Sequence, residues 1–210
     1  MRRNAHKVIS LKKYKDKLQE REENFAYKKE YFESLGYQSE KVMVNVVYAN
    51  IISVLILAIS SVIMIVCFMS IYDTFQIDLS FKIIGWLIAL IIIHEVIHGL
   101  TWSLFCEQKW KSIQFGIMWK LLTPYCCCLE VLPWKTYILG GLMPFFVLGV
   151  GGYILALWLG SGTVLILSIL NVAGAAGDLI VAYRILKNHD GVLLDLPKEC
   201  GYMRFYKDTL

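Results

Sequence analysis

The chain has 210 residues, of which 57% are apolar and only 18% are charged, with a formal net charge of +4. These values exclude an ordinary soluble domain, because the charges are crowded into a few segments and leave uncharged apolar runs longer than about 18 residues, the length of a bilayer span. The six cysteines exclude a secreted disulfide scaffold, since three are contiguous and another lies in an apolar run.

Residues 1–47 form a charged, aromatic segment with eleven Lys/Arg against seven Asp/Glu. The composition fits a cytosolic helix near the lipid surface and fits a loosely ordered tail equally well. A removable signal peptide is not expected, because no short apolar core follows the first residues. No chemistry can be assigned to this segment from its sequence.

Four apolar spans follow, so residues 48–187 are predicted to form a membrane domain and residues 188–210 a cytosolic tail. Each span has 22 to 25 residues, enough to cross about 30 Å of hydrocarbon at about 1.5 Å per residue. A short acidic loop, 73–78, joins the first two spans. The spans cover about 48–69, 81–105, 136–159 and 163–185. The predicted fold class is an all-α integral membrane protein with four transmembrane helices.

The positions of lysine and arginine predict the orientation of these spans. Twenty of the 21 basic residues lie before the first span, between the second and third spans, or at and after the end of the fourth. Only Lys82 departs from the pattern. Both termini are therefore predicted to be cytosolic.

The loop 106–135 is predicted to contain a short β-hairpin at the membrane edge. Residues 112–119 alternate weakly between polar and apolar, and Thr123-Pro124 marks a break before residues 125–131. The tail after Asn188 is predicted to add one or two further strands.

The second span carries the sequence His94-Glu95-Val96-Ile97-His98. Residues four apart stand one turn apart on the same helix face, so the two imidazoles can bind one zinc ion at about 2.0–2.1 Å. Glu95 is suited to accept a proton from zinc-bound water. The competing interpretation is a set of polar side chains that satisfy one another between helices, because such groups are costly in lipid.

A catalytic zinc ion needs a third protein ligand and keeps one position for water. No histidine stands six residues after His98, so the third ligand must come from elsewhere in the chain. Depth favours Asp178, which lies 15 residues into its span while His94 lies 13 residues into its own. At 1.5 Å per residue that is a difference of about 3 Å. The candidates are Asp178, Glu130, His189 and a cysteine of 126–128.

Asn171 precedes Asp178 by two turns, on roughly the same face of a continuous helix. Its amide is therefore a candidate donor to a peptide carbonyl or to a developing oxyanion. With Glu95 it completes the predicted catalytic pair, beside a predicted site for one Zn²⁺ ion.

These motifs resemble the site-2 protease group of intramembrane zinc metallopeptidases. The closer resemblance, over about residues 80 to 200, is to a small bacterial family of membrane zincins, in which a cysteine and glutamate stretch like 126–130, a span like 137–144 and a late Gly-Asp follow the histidine motif. The resemblance implies His94, His98 and Asp178 as zinc ligands and Glu95 as catalytic base. The chain departs from the site-2 pattern of Asn, Pro and Asp-Gly, because Gly174 replaces the proline and Gly177 precedes Asp178.

The leading hypothesis is an intramembrane zinc metalloprotease that hydrolyses peptide bonds in or near membrane segments of substrate proteins. We expect it in the bacterial cytoplasmic membrane, with the active site toward the cytosol. The expected partners are a membrane protein or peptide substrate and the lipid bilayer, and no nucleic acid. The alternatives are a non-catalytic zinc-binding membrane protein with a structural or regulatory role, and a zinc-dependent hydrolase of non-peptide substrates.

Overall fold

The computed structural model describes residues 2–74, 76–77, 82–118 and 123–207. Three of its helices are long and apolar enough to cross a membrane, and a bent pair of helices makes a fourth candidate span. Phe81, the predicted start of the second span, and Asp78, in the loop before it, lie outside the described residues.

The helices follow the predicted spans closely. The first predicted span corresponds to α2 (Val46–Met69) and the second to α3 (Lys82–Ser103). The third corresponds to α4 (Trp134–Pro144) and α5 (Gly151–Leu159), which a π-helical segment at Phe145–Val150 joins into the continuous candidate span Trp134–Leu159. A 3-10 turn at Lys109–Ser112 follows α3. The α-helices are α1 Arg2–Ser34, α2 Val46–Met69, α3 Lys82–Ser103, α4 Trp134–Pro144, α5 Gly151–Leu159, α6 Gly162–Gly174 and α7 Ala176–Lys187.

α2 shows why these segments form apolar spans. Asn45 caps the helix by accepting hydrogen bonds from the backbone N–H groups of Val47 and Tyr48, and no charged residue follows within the helix. Large apolar side chains such as Val54 and Ile59 are more than half exposed on its surface. An apolar exterior of this extent is the surface expected of a helix that faces lipid.

The predicted fourth span is not one straight helix. α6 ends at Gly174, α7 begins at Ala176, and the two helix axes differ by 43°. Asp178 consequently lies in the first turn of α7. Free N–H groups and the positive end of the helix dipole favour a carboxylate at that position.

The described residues also form six strands, so the prediction of an all-α protein with a possible hairpin and tail strands is confirmed for its helices and for four of these strands. The predicted hairpin is present as β2 Ile113–Met118 and β3 Thr123–Cys128, although Trp119 and Lys120 lie outside the described residues. The second sheet is antiparallel in the order β1-β6-β5-β4. Its strands are β1 Gln38–Met43, β4 Leu132–Pro133, β5 Val192–Asp195 and β6 Gly201–Tyr206, of which β5 and β6 are the predicted tail strands.

The N-terminal segment is a helix followed by a strand, and it packs on the C-terminal sheet. Phe25 and Phe32 of α1 contact a buried cluster that includes Leu194 and Phe205, and the rings of Phe32 and Phe205 stack with centroids 4.8 Å apart. β1 pairs along its whole length with β6, from Gln38 opposite Tyr206 onward. The N-terminal helix and strand therefore pack together with the C-terminal strands.

Candidate metal centre

Three side chains from two helices converge on one point. The Nε2 atoms of His94 and His98, on α3, lie 3.1 Å apart. Asp178, on α7, places Oδ2 3.2 Å from His94 Nε2 and Oδ1 3.5 Å from His98 Nε2. Donors bound to one tetrahedral zinc ion at about 2.0–2.1 Å are roughly 3.3 Å apart. The three observed separations lie near that value, with different oxygens of Asp178 facing the two histidines, so the cluster could hold a zinc ion.

α4 fixes the orientation of His98. The Nδ1–H group of His98 donates to the carbonyl oxygen of Gly140 at 2.9 Å, which leaves the Nε2 lone pair for a metal. The buried imidazole also stacks on Trp102, whose indole Nε1–H donates to the carbonyl oxygen of Tyr137. A Cβ on Gly140 would lie 2.1 Å from Trp102 Nε1, so glycine permits this close approach of α3 and α4.

The hairpin fixes the orientation of Glu95. The Glu95 carboxylate accepts a hydrogen bond from the backbone N–H of Cys126, on β3. The hairpin reaches this position because α3 has no side chain at Gly99, where a Cβ would lie 2.7 Å from Phe115 Cζ and 2.8 Å from Ile113 Cγ2. Glu95 is thereby held beside the metal cluster and outside it.

A cavity of about 350 Å³ opens onto this cluster and is lined by His94, Glu95, His98 and Asp178. Its size falls in the range of about 300–1,000 Å³ typical of ligand pockets. The other walls come from α1, the hairpin, α4 and the turn between β5 and β6, including Leu18, Arg21, Tyr125, Tyr137, Lys198 and Cys200. A substrate group in this cavity would meet both the metal site and Glu95.

A family profile described as "Putative zincin peptidase" matches residues 87–193, which is half of the chain. The chain belongs to this family. Membership indicates a zinc metallopeptidase, and the donor set of the metal cluster is one that zinc accepts. No curated protein matched the chain, and no solved structure matched it.

The other candidate ligands of this zincin lie apart from the cluster. Glu130 accepts hydrogen bonds from the backbone N–H groups of Glu107 and Gln108 and from the hydroxyl of Ser112, and it ties the end of α3 to the hairpin. Burial opposes its charge, but these hydrogen bonds lower the pKa of Glu130. His189 is exposed, and its Nδ1–H donates to the carbonyl of Leu186.

The contiguous cysteines line or underlie the cavity as neutral thiols. Cys126 borders the cavity, and Cys127 and Cys128 are buried. Burial raises the pKa of the Cys126 and Cys127 thiols well above the ordinary range, which disfavours the thiolate that a zinc ligand must be. Among the described residues, the three-residue group able to hold a metal consists of His94, His98 and Asp178.

Asn171 forms a hydrogen bond within its own helix. It lies in α6, before the bend, and its amide Nδ2 donates to the carbonyl oxygen of Leu167 at 2.7 Å. It is not among the residues that line the cavity. The catalytic role predicted for Asn171 therefore stays a prediction.

Asp195 is a further carboxylate at the cavity that was not predicted from the sequence. Asp195 accepts hydrogen bonds from the hydroxyl of Tyr137 and, at 2.6 Å, from the backbone N–H of Cys128. Burial raises its pKa, and the three groups link β5, α4 and the hairpin behind the zincin site. The sequence feature that could have indicated Asp195 is its position as the one acidic residue within the otherwise apolar segment 192–196.

Proposed function

We propose that the chain is an intramembrane zinc metallopeptidase that hydrolyses peptide bonds in or near membrane segments of other proteins. His94, His98 and Asp178 would hold one zinc ion, and Glu95 would act as general base. The observation that supports this proposal most directly is the convergence of the three donors at zinc-like separations on helices of the candidate spans. The resemblance to site-2 proteases in the histidine motif supports the same assignment.

The residues of the site divide the reaction between them. Bound zinc would lower the pKa of a water molecule to about 7 and polarise the scissile carbonyl. Glu95 accepts the proton of the attacking water and returns it to the leaving nitrogen. The Cys126 N–H keeps the Glu95 carboxylate at the edge of the cavity, and Gly140 keeps His98 in the tautomer that binds metal.

We propose that the cavity opens toward the cytosol of a bacterial cell, at the cytoplasmic membrane. The support is the asymmetry of basic residues, because 20 of the 21 lie in segments predicted to share one side. The cavity walls that lie outside the spans, in α1, the hairpin and the tail, belong to these same segments. Substrate would therefore reach the metal from the cytosolic edge of the bilayer.

Replacing Glu95 by Gln tests the catalytic assignment, because it removes the base and keeps the size of the side chain. Wild type and Glu95→Gln would be reconstituted in liposomes, loaded with zinc and incubated with a peptide library, and the products would be identified by mass spectrometry. We expect equal zinc content and a fall in cleavage rate of about 10²–10⁴-fold. Zinc binding in both proteins without cleavage by either would favour a structural zinc site instead.

A further inference from the structure

Arg21 brings a buried positive charge into the cavity from outside the family-matched region. The residue lies in α1, is only 7% exposed and lines the same cavity as the metal ligands. The family match begins at residue 87, so this cation belongs to a segment that the shared zincin region does not include.

The guanidinium of Arg21 is held in place by neutral groups. Its Nη2 donates to the carbonyl oxygen of Leu196 at 3.2 Å, its Cζ lies 4.8 Å from the centroid of the Tyr125 ring, and it also hydrogen-bonds the thiol of Cys127. Each contact fixes the position of the guanidinium plane, and none neutralises its charge.

Within the described part of the chain, Arg21 has no carboxylate oxygen within 4.0 Å, and its buried Nε–H has no hydrogen-bond partner. Asp195, which lines the same cavity, interacts with the charge of Arg21 without an ion-pair contact, and its oxygens already accept from Tyr137 and Cys128. A buried charge without a paired anion is costly. Lys198, the other cation that lines the cavity, is exposed and already paired with Glu22.

We propose that Arg21 determines the specificity of the site by binding a carboxylate of the substrate, either an Asp or Glu side chain or the C-terminal carboxylate. This inference rests on the proposed peptidase function. Arginine suits the task because its planar fork of N–H donors matches a carboxylate. Arg21 and the metal ligands line the same cavity, so the carboxylate would lie only a few residues from the scissile bond, since an extended chain advances about 3.3 Å per residue.

Equilibrium binding of three fluorescently labelled tripeptides tests this inference. The probes are Phe-Ala-Leu with a free C-terminus, Phe-Ala-Leu amide, and Phe-Glu-Leu amide. The full-length chain carries Glu95→Gln, so that no probe is cleaved, and is measured with zinc and after chelation, because a carboxylate could also bind the metal. The compared variants are Arg21→Gln, Arg21→Lys and, as matched control, Lys17→Gln, which removes an exposed charge one turn earlier on α1.

We expect at least one carboxylate probe to bind about 10- to 100-fold more tightly than the neutral amide, as a buried charge-assisted hydrogen bond would give. Arg21→Gln should abolish this preference and leave binding of the neutral probe unchanged. Arg21→Lys should keep part of it, and Lys17→Gln should keep all of it. The probe that shows the preference identifies the source of the carboxylate.

Equal weakening of all three probes by Arg21→Gln, or no change for any, would overturn the inference and leave Arg21 as a residue that pins α1 to the sheet. If Arg21→Gln does not fold, the same comparison is made between Arg21→Lys and Lys17→Gln. Because the measurement needs no turnover, it can succeed or fail independently of the peptidase assignment, which Glu95→Gln tests by cleavage.

Discussion

Replacing Asp178 by Ala should weaken zinc binding by about two to three orders of magnitude. The carboxylate is one of the three groups that lie close enough together to hold one metal ion, with its oxygens 3.2 and 3.5 Å from the two histidine nitrogens. Its removal is therefore expected to cost about one ligand's share of the binding free energy. Four-ligand zinc sites bind with about 10–16 kcal/mol in total, or about 2.5–4 kcal/mol per ligand. That share corresponds to about 10²–10³-fold in affinity.

The assay is competition between the detergent-purified protein and a chromophoric chelator of known zinc affinity, with metal content measured by mass spectrometry. Glu130→Ala is the matched control, because it removes the rival carboxylate, which contacts backbone N–H groups at the end of α3. We expect this control to lower the folding stability and to leave zinc affinity within about threefold of wild type. Undiminished affinity in Asp178→Ala, together with a loss in Glu130→Ala, would refute the assignment.

The remaining predictions concern packing, the role of Asn171 and orientation. Gly99→Ala should force the hairpin away from α3, since its Cβ would lie 2.7 Å from the nearest hairpin side chain. The cleavage rate should then fall about tenfold or more while zinc is retained. The control Gly85→Ala, whose Cβ would have nothing within 4 Å, should change neither the cleavage rate nor the zinc content. Asn171→Ala should lower kcat by about 10²–10³-fold if its amide reaches the oxyanion, and a loss below tenfold would indicate that it only contacts its own helix. Cysteines placed at Asp73 and Ser161 should react in intact cells with a membrane-impermeant maleimide; reaction only after permeabilisation would contradict the proposed orientation.

Hydropathy predicted the helices well because long uncharged runs have few structural alternatives, but it could not predict the bend in the fourth span. Residues 163–185 are mostly apolar, and small residues such as Gly174 are common in straight membrane helices. β1 was also missed, because Gln38–Met43 has no apolar alternation. It is a strand because it pairs with β6, whose residues lie 158 to 168 positions away in the sequence, and local propensity does not encode that contact.

In the candidate site, too, the features that depend on local sequence could be predicted and those that depend on distant contacts could not. The pairing of His94 with His98 follows from helical periodicity, and a depth argument was enough to select Asp178. The prediction for Asn171 assumed that one continuous helix runs through Ala175, but α6 ends and α7 begins at that residue. The 43° bend between these helices means that residues on either side of it no longer follow one straight helix, so the role of Asn171 stays a prediction.

The proposed chemistry and the proposed selectivity belong to different parts of this chain. The metal ligands and Glu95 lie within residues 87–193, the segment that the family match covers. Arg21 and Leu18 lie before it, and the turn that includes Lys198 lies after it, yet all three line the cavity. A change in these outer segments would alter which substrate fits without disturbing the donors that are proposed to hold zinc. We therefore expect zincins with a different N-terminal helix to retain the zinc chemistry and to prefer different residues beside the scissile bond.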